Sequence, residues 1–128
     1  MTKAEKQKVI KDETRDNYLK TIKLTMTENG CARACDIAKR LGVSKPTVSV
    51  HLRHLEDEGY IYRNEENRIC LTRKGKVIAN DISEKFLFFR EILMSLDIDE
   101  QTAEEDACRM EHALSDKSFV SLKKYIGK

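Results

Sequence analysis

Cys108, Glu111 and His112 stand at i, i+3 and i+4 within EEDACRMEHALS, residues 104–115. On a helix this spacing brings all three to one face. A thiolate, a carboxylate and an imidazole converging there can hold one divalent ion. Sulfur and imidazole donors favour Fe²⁺, Co²⁺, Ni²⁺ or Zn²⁺ over the oxygen-loving Mg²⁺ and Ca²⁺. Three ligands from one helix seldom complete a site, so a second element has to close it. The same residues also fit a solvated face bearing Glu and His with the cysteine turned to a core. Catalysis fits less well. Cys108 and His112 are the one nucleophile–base pair close in sequence, and the acidic run from Asp97 to Asp106 beside them would raise a thiol pKa. There is no phosphate-binding glycine loop, and the chain has only five glycines. The chain reads as no enzyme, with no small-molecule substrate.

A second chemistry lies in DIAKRLGVSKPTVSVHLRHLEDEG, residues 36–59. Ile37, Ala38 and Leu41 give a short helix one apolar face, and Gly42 supplies a left-handed stop. Ser44 can cap the next helix, and Pro46 suits its first turn. Val48, Leu52 and Leu55 recur at i, i+4 and i+7 and face inward. Thr47, Ser49, Val50, His51, Arg53 and His54 are left on other faces. A small, hydroxyl-rich and basic exposed surface is what a recognition helix offers to base edges and phosphates. Thr47 and Ser49 bring hydroxyls, Pro46 and Val50 apolar contact to a thymine methyl. Ser44, Lys45 and Arg53 lie toward the backbone. At least one of His51 and His54 is expected to point toward the duplex, the other reading being burial against the following hairpin. A zinc finger built on Cys31, Cys35, His51 and His54 would have the spacing C-x3-C-x15-H-x2-H. That misses the usual interval of about twelve residues and the histidine gap of about three to five.

The elements around these groups follow from periodicity and turn chemistry. Residues 4–28 read as a helix with Val9, Ile10, Tyr18, Ile22 and Met26 among its apolar positions, ended by Asn29-Gly30. YIYRNEENRICLT, residues 60–72, reads as a hairpin turning at Asn64–Asn67, the wing of a winged helix, with Arg63 and Arg68 flanking its tip. Thr72 can cap a long helix to about Leu96 whose apolar residues cover more than one face, which calls for a second subunit. Helices at 100–113 and after Ser115-Asp116 complete the chain. The expectation is a mainly α protein: a winged helix–turn–helix DNA-binding domain over 1–75, then a helical metal-binding and dimerisation domain over 76–128.

Bulk properties agree. The chain has 128 residues, 36% of them charged, yet a net charge of only +2, so affinity for DNA must come from local basic clusters. No apolar run is long enough for a membrane span. The first residues, MTKAEKQKVIKDETRD, lack the apolar core of a signal peptide, and Cys31, Cys35, Cys70 and Cys108 read as free thiols or metal ligands. A cytoplasmic protein is expected.

DNYLKTIKL (16–24), GCARACDIAKRLGVSKPTVSVHLRHLEDEGYI (30–61), ICLTRKGK (69–76) and DACRMEHALSD (106–116), taken in order, resemble the diphtheria toxin repressor family over almost the whole chain. Members are dimeric, metal-activated transcriptional repressors with a winged N-terminal domain and a helical dimerisation domain. In length the chain is similar to the manganese-regulator branch, whereas Cys108 is similar to the iron-responsive branch. The resemblance implies a homodimer reading a palindromic double-stranded DNA operator, activated by Fe²⁺ or Mn²⁺, with Co²⁺, Ni²⁺ or Zn²⁺ as substitutes in vitro. It places Cys108, Glu111 and His112 at ligand positions and Asn17 where the family has Asp or Met. It makes Arg33 a further phosphate contact. It also puts Lys20 at a carboxylate position, and Phe86 and Arg90 where a His and a Glu are expected, with Lys85 entering on a one-residue slip. Three readings stay open: one metal held by Cys108, Glu111 and His112 with Asn17, water or Glu13; constitutive DNA binding without metal; or another signal in the same cleft.

Overall fold

The computed structural model describes the backbone of residues 3–127 and the side chains of 13–127. Val9 and Ile10, expected on the apolar face of the first helix, have side chains outside the described residues. Among the described residues the elements run α1 (Lys3–Asn29), α2 (Ala34–Leu41), α3 (Lys45–Asp57), β1 (Ile61–Arg63), β2 (Ile69–Leu71), α4 (Arg73–Ser95), α5 (Glu100–Glu111) and α6 (Asp116–Ile126). The chain divides into two compact units, one through Asp81 and one from Ile82, so the division falls inside α4. No described helix is long and apolar enough to cross a membrane.

The first unit is a winged helix. Tyr18, Leu19 and Ile22 of α1, Ile37 and Ala38 of α2, Val48, Leu52 and Leu55 of α3, and Ile61, Ile69 and Leu71 of the hairpin form one core. The α2–α3 turn is built locally. Gly42 adopts φ 68°, a left-handed conformation that glycine takes without a Cβ penalty, and closes α2. Ser44 then accepts the Thr47 N–H at 3.3 Å, and Pro46 occupies the first turn of α3. β1 and β2 pair antiparallel with Tyr62 opposite Cys70. At the hairpin tip Asn64 Oδ1 accepts the N–H groups of Glu66 and Arg68, each at 3.0 Å, and Asn67 takes the left-handed φ of 60° that asparagine tolerates.

The hairpin leads straight into α4. Thr72 Oγ1 accepts the Gly75 N–H at 3.2 Å, as expected of a cap, and donates to Gly59 C=O at 2.7 Å. Gly75 itself meets the Tyr60 carbonyl so closely that a Cβ would lie 2.1 Å from that oxygen.

The second unit gathers its aromatic residues. Phe119 of α6 sits edge-on to Phe88 of α4, centroids 5.3 Å apart, and 5.9 Å from Phe89. The buried Lys85 ammonium donates to Asp116 Oδ1 at 2.6 Å and lies 5.9 Å from the Phe119 ring. Asp99, with its side chain accepting the Thr102 N–H at 3.0 Å, caps α5; Ser115 caps α6 in the same way through Ser118. α5 stops at Glu111, two residues short of the expected end at 113, and His112 is its C-cap.

Candidate nucleic-acid interface and metal centre

The exposed surface of α3 holds the residues expected to meet DNA. Val48, Leu52 and Leu55 are buried, and this turns Lys45, Pro46, Thr47, Ser49, Val50 and Arg53 outward. Val50 is 52% exposed, an apolar side chain well suited to a methyl group in a major groove. The Ser44 and Thr47 hydroxyls share a hydrogen bond at 2.8 Å, so the two form one unit at the helix start. Arg33 precedes α2 as its N-cap residue in extended backbone; its side chain makes no capping bond and is exposed.

The wing arginines are held at the hairpin tip. Arg63 Nη1 donates to Asn67 Oδ1 at 3.3 Å, and Arg68 Nη1 lies 3.2 Å from Glu66 Oε2. Exposed pairs of this kind are worth about 0–1 kcal/mol and exchange readily for a phosphate.

The two histidines of α3 differ in exposure. His51 stacks on Tyr18 of α1, ring centroids 4.8 Å apart, and is half-buried there. His54 is exposed, yet with His51 it lines a cavity of about 320 Å³ that α1 shares through Thr14, Arg15 and Tyr18. Burial pushes the Tyr18 phenol above its ordinary pKa. The sequence pattern gave no warning of this stack, because it depends on where α1 crosses α3. Lys74, one of the clustered basic residues, donates from its Nζ to Glu58 C=O at 3.1 Å and lies 4.2 Å from the centre of the Tyr60 ring.

In the second unit the three expected metal donors converge. One ligand atom from each of Cys108, Glu111 and His112 lies within 4.8 Å of the others. Glu111 is 1% exposed, and its Oε1 sits 3.3 Å from His112 Nε2. Donors around a tetrahedral ion at ordinary bond lengths are about 3.5 Å apart, so the cluster needs only small side-chain shifts to close on one. The donor set fits a divalent transition ion: a carboxylate so deeply buried gains most from a neighbouring positive charge. Asn17 is half-buried on α1 in the first unit.

The remaining positions singled out by resemblance carry no donors. Phe86 is buried. Arg90 reaches α5, with Nη2 2.9 Å from Glu100 Oε1 and Nε 3.1 Å from Glu104 Oε1. Lys20 is buried, and Lys85 is engaged with Asp116.

Comparison with known proteins agrees with both halves. Residues 72–128 match the family described as iron dependent repressor, metal binding and dimerisation domain, and residues 26–63 match the bacterial regulatory protein, arsR family. The chain is 34% identical over 104 residues to the transcriptional regulator MntR of Salmonella typhimurium, covering 81% of this chain and 66% of that protein. It is 32% identical over 113 residues to MntR of Escherichia coli O157:H7, covering 88% and 73%. The solved structure of the manganese regulator SloR superposes with a TM-score of 0.75 at 26% identity, over 88% of this chain and 53% of that one. The chain therefore spans just under two thirds of the Salmonella relative and about half of the SloR chain.

Proposed function

The chain belongs to the diphtheria toxin repressor family, and from that premise we propose that it is a metal-responsive transcriptional repressor that binds DNA as a homodimer. The convergence of Cys108, Glu111 and His112 within 4.8 Å carries the metal part of this reading. The match of residues 72–128 to a metal-binding and dimerisation family favours metal control over constitutive binding.

The DNA part rests on α3. Thr47, Ser49 and Val50 would read base edges, with Pro46 beside them. Ser44, Lys45, Arg53, Arg33 and the wing residues Arg63 and Arg68 would hold phosphates and set the register. Recognition helices of paired protomers meet half-sites about 34–36 Å apart, which makes the operator a palindrome. Exposed apolar residues in the second unit supply a surface for that pairing: Leu87 on α4, and Val120, Tyr125 and Ile126 on α6. Such a protein binds and does not catalyse, and its place of action is with the DNA in the cytoplasm.

A divalent ion bound at Cys108, Glu111 and His112 supplies positive charge beside a buried carboxylate. Cys108 and buried Glu111 on α5, with His112 at its cap, would hold the ion. Fixing these side chains narrows the ensemble, so less ordering remains to be done when DNA docks. Asn17, which the family resemblance would add as a donor, belongs to the first unit. Fe²⁺ and Mn²⁺ are the proposed physiological ions.

Selection of binding sites from a random DNA pool, performed anaerobically with Fe²⁺, with Mn²⁺ and with a chelator, tests this function. A palindrome enriched only with metal is the expected result. The same palindrome enriched equally under chelator would replace the metal switch by constitutive binding.

A further inference from the structure

Ala32, in the segment between α1 and α2, forms an isolated antiparallel bridge with Ile69 of β2. The Ile69 N–H donates to Ala32 C=O at 2.9 Å, which makes this a hydrogen-bonded pair. Both residues are buried, at 0% and 1% exposure, and so face the core. Continued one step each way from this isolated bridge, the register would set Cys31 opposite Cys70 and Arg33 opposite Arg68.

Successive residues of extended chain point to opposite faces, which puts Cys70 on the outer face of β2. Cys31, in the bend one residue before the bridge, would share that face if the alternation carries one residue past Ala32. Both are half-buried, as that placement requires, and β2 shows the alternation directly with Cys70 half-buried between buried Ile69 and Leu71. A non-hydrogen-bonded pair next to a hydrogen-bonded one has Cα atoms about 4.5 Å apart. Disulfides accept about 4.4–6.8 Å. Both thiols are free, and Cys70 Sγ lies 3.9 Å from the Arg68 carbonyl.

We propose that Cys31 and Cys70 are a redox-reversible thiol pair that closes to a cross-strand disulfide under a peroxide oxidant. One thiolate displaces hydroxide from the peroxide and becomes a sulfenic acid. The second thiolate attacks that sulfur, the S–S bond forms and the oxygen leaves as water. In sum, two thiols and one hydrogen peroxide give one disulfide and two waters; a dithiol reductant reverses the closure. The bond clasps wing strand β2 to the entry of α2 and encloses α2, α3 and β1 in one covalent loop. Arg33 and Arg68 lie two residues from the bond on either side, on the same outer face. The pairing rests on the strand register and is independent of any metal or DNA function.

The experiment treats the full chain with hydrogen peroxide, alkylates remaining thiols, and maps non-reduced peptides by mass spectrometry. A Cys35→Ser/Cys108→Ser variant, which keeps both members of the pair, is carried in parallel. The expected result is a cross-linked peptide joining 31 to 70, two hydrogens lighter than the separate peptides. It should form in both proteins, vanish with dithiothreitol and be absent from Cys70→Ser. Cross-links joining Cys31 to Cys35, or one chain to another, would overturn the pairing. So would full alkylation of Cys31 and Cys70 in oxidised protein whose circular dichroism is unchanged.

Discussion

Arg90 of α4 donates from its Nε to Glu104 Oε1 of α5 at 3.1 Å, while its Nη2 reaches Glu100 Oε1 at 2.9 Å. A fixed cation thus stands where the family resemblance called for a metal-binding carboxylate. A guanidinium cation has no lone pair to offer an ion. The two α5 carboxylates are already served by it.

One metal equivalent per chain follows. Isothermal titration of the full protein with Mn²⁺ or Co²⁺ should saturate at a single ion per chain, with Arg90→Ala unchanged in stoichiometry. Two equivalents in the unaltered protein would show that a second site forms despite Arg90.

His112→Ala should abolish metal-dependent DNA binding and leave helix content unchanged, because the proposed ligand His112 is the C-cap residue beyond the last turn of α5. Cys108→Ser tests the thiol separately. Co²⁺ bound by the unaltered chain should give a sulfur-to-metal charge-transfer band in the near ultraviolet, and the serine variant should lack it. Retention of that band would remove Cys108 from the ligand set.

Thr47→Ala and Arg53→Ala should separate base reading from phosphate attraction. Loss of the Thr47 hydroxyl should weaken specific binding by about 1 kcal/mol or more with little change in salt dependence. Arg53→Ala should weaken binding to all sequences and reduce the salt slope by about 1. Fluorescence anisotropy over a salt series distinguishes the two. Ser44→Ala differs from both, since removing the acceptor of the Thr47 N–H costs about 1 kcal/mol of fold stability as well.

These assignments divide by range. Ser44, Pro46 and Gly42 announce the α2–α3 turn because capping and left-handed stops are decided within four residues. Cys108, Glu111 and His112 were legible for the same reason, helical periodicity placing them together before any packing is known. Arg90 was legible only as a missing ligand; its partners Glu100 and Glu104 depend on how α4 and α5 pair. The Tyr18–His51 stack and the Ala32–Ile69 bridge join residues more than thirty positions apart, and no local pattern encodes them. The end of α5 at Glu111 was misplaced by two residues, the usual uncertainty where a helix frays into a cap.

Gly75→Ala should be strongly destabilising. The new methyl carbon would fall 2.1 Å from the Tyr60 carbonyl oxygen, a backbone atom that cannot swing aside. Relief requires moving the first turn of α4 off the hairpin, at a cost of about 3 kcal/mol or more. Urea unfolding followed by circular dichroism should show a lower midpoint with an unchanged slope. A midpoint within error of the unaltered protein would mean that α4 starts farther from Tyr60 than this packing shows.

The N-cap of α5 links stability to acid. The backbone and side-chain hydrogen bonds from Thr102 hold the Asp99 carboxyl below the usual carboxylate range. The unfolded chain binds that proton more readily than the fold does, so the cap's contribution is fully present above the unfolded pKa. It is lost as pH falls through the lower folded value. Asp99→Asn keeps an oxygen acceptor for the Thr102 N–H but removes the charge. The unaltered protein should therefore have the higher Tm at neutral pH, and the difference should shrink as the pH is lowered below the carboxylate range. Thermal melts of the two proteins across that interval measure it. A difference that stays constant with pH would assign the cap's effect to the hydrogen bond alone.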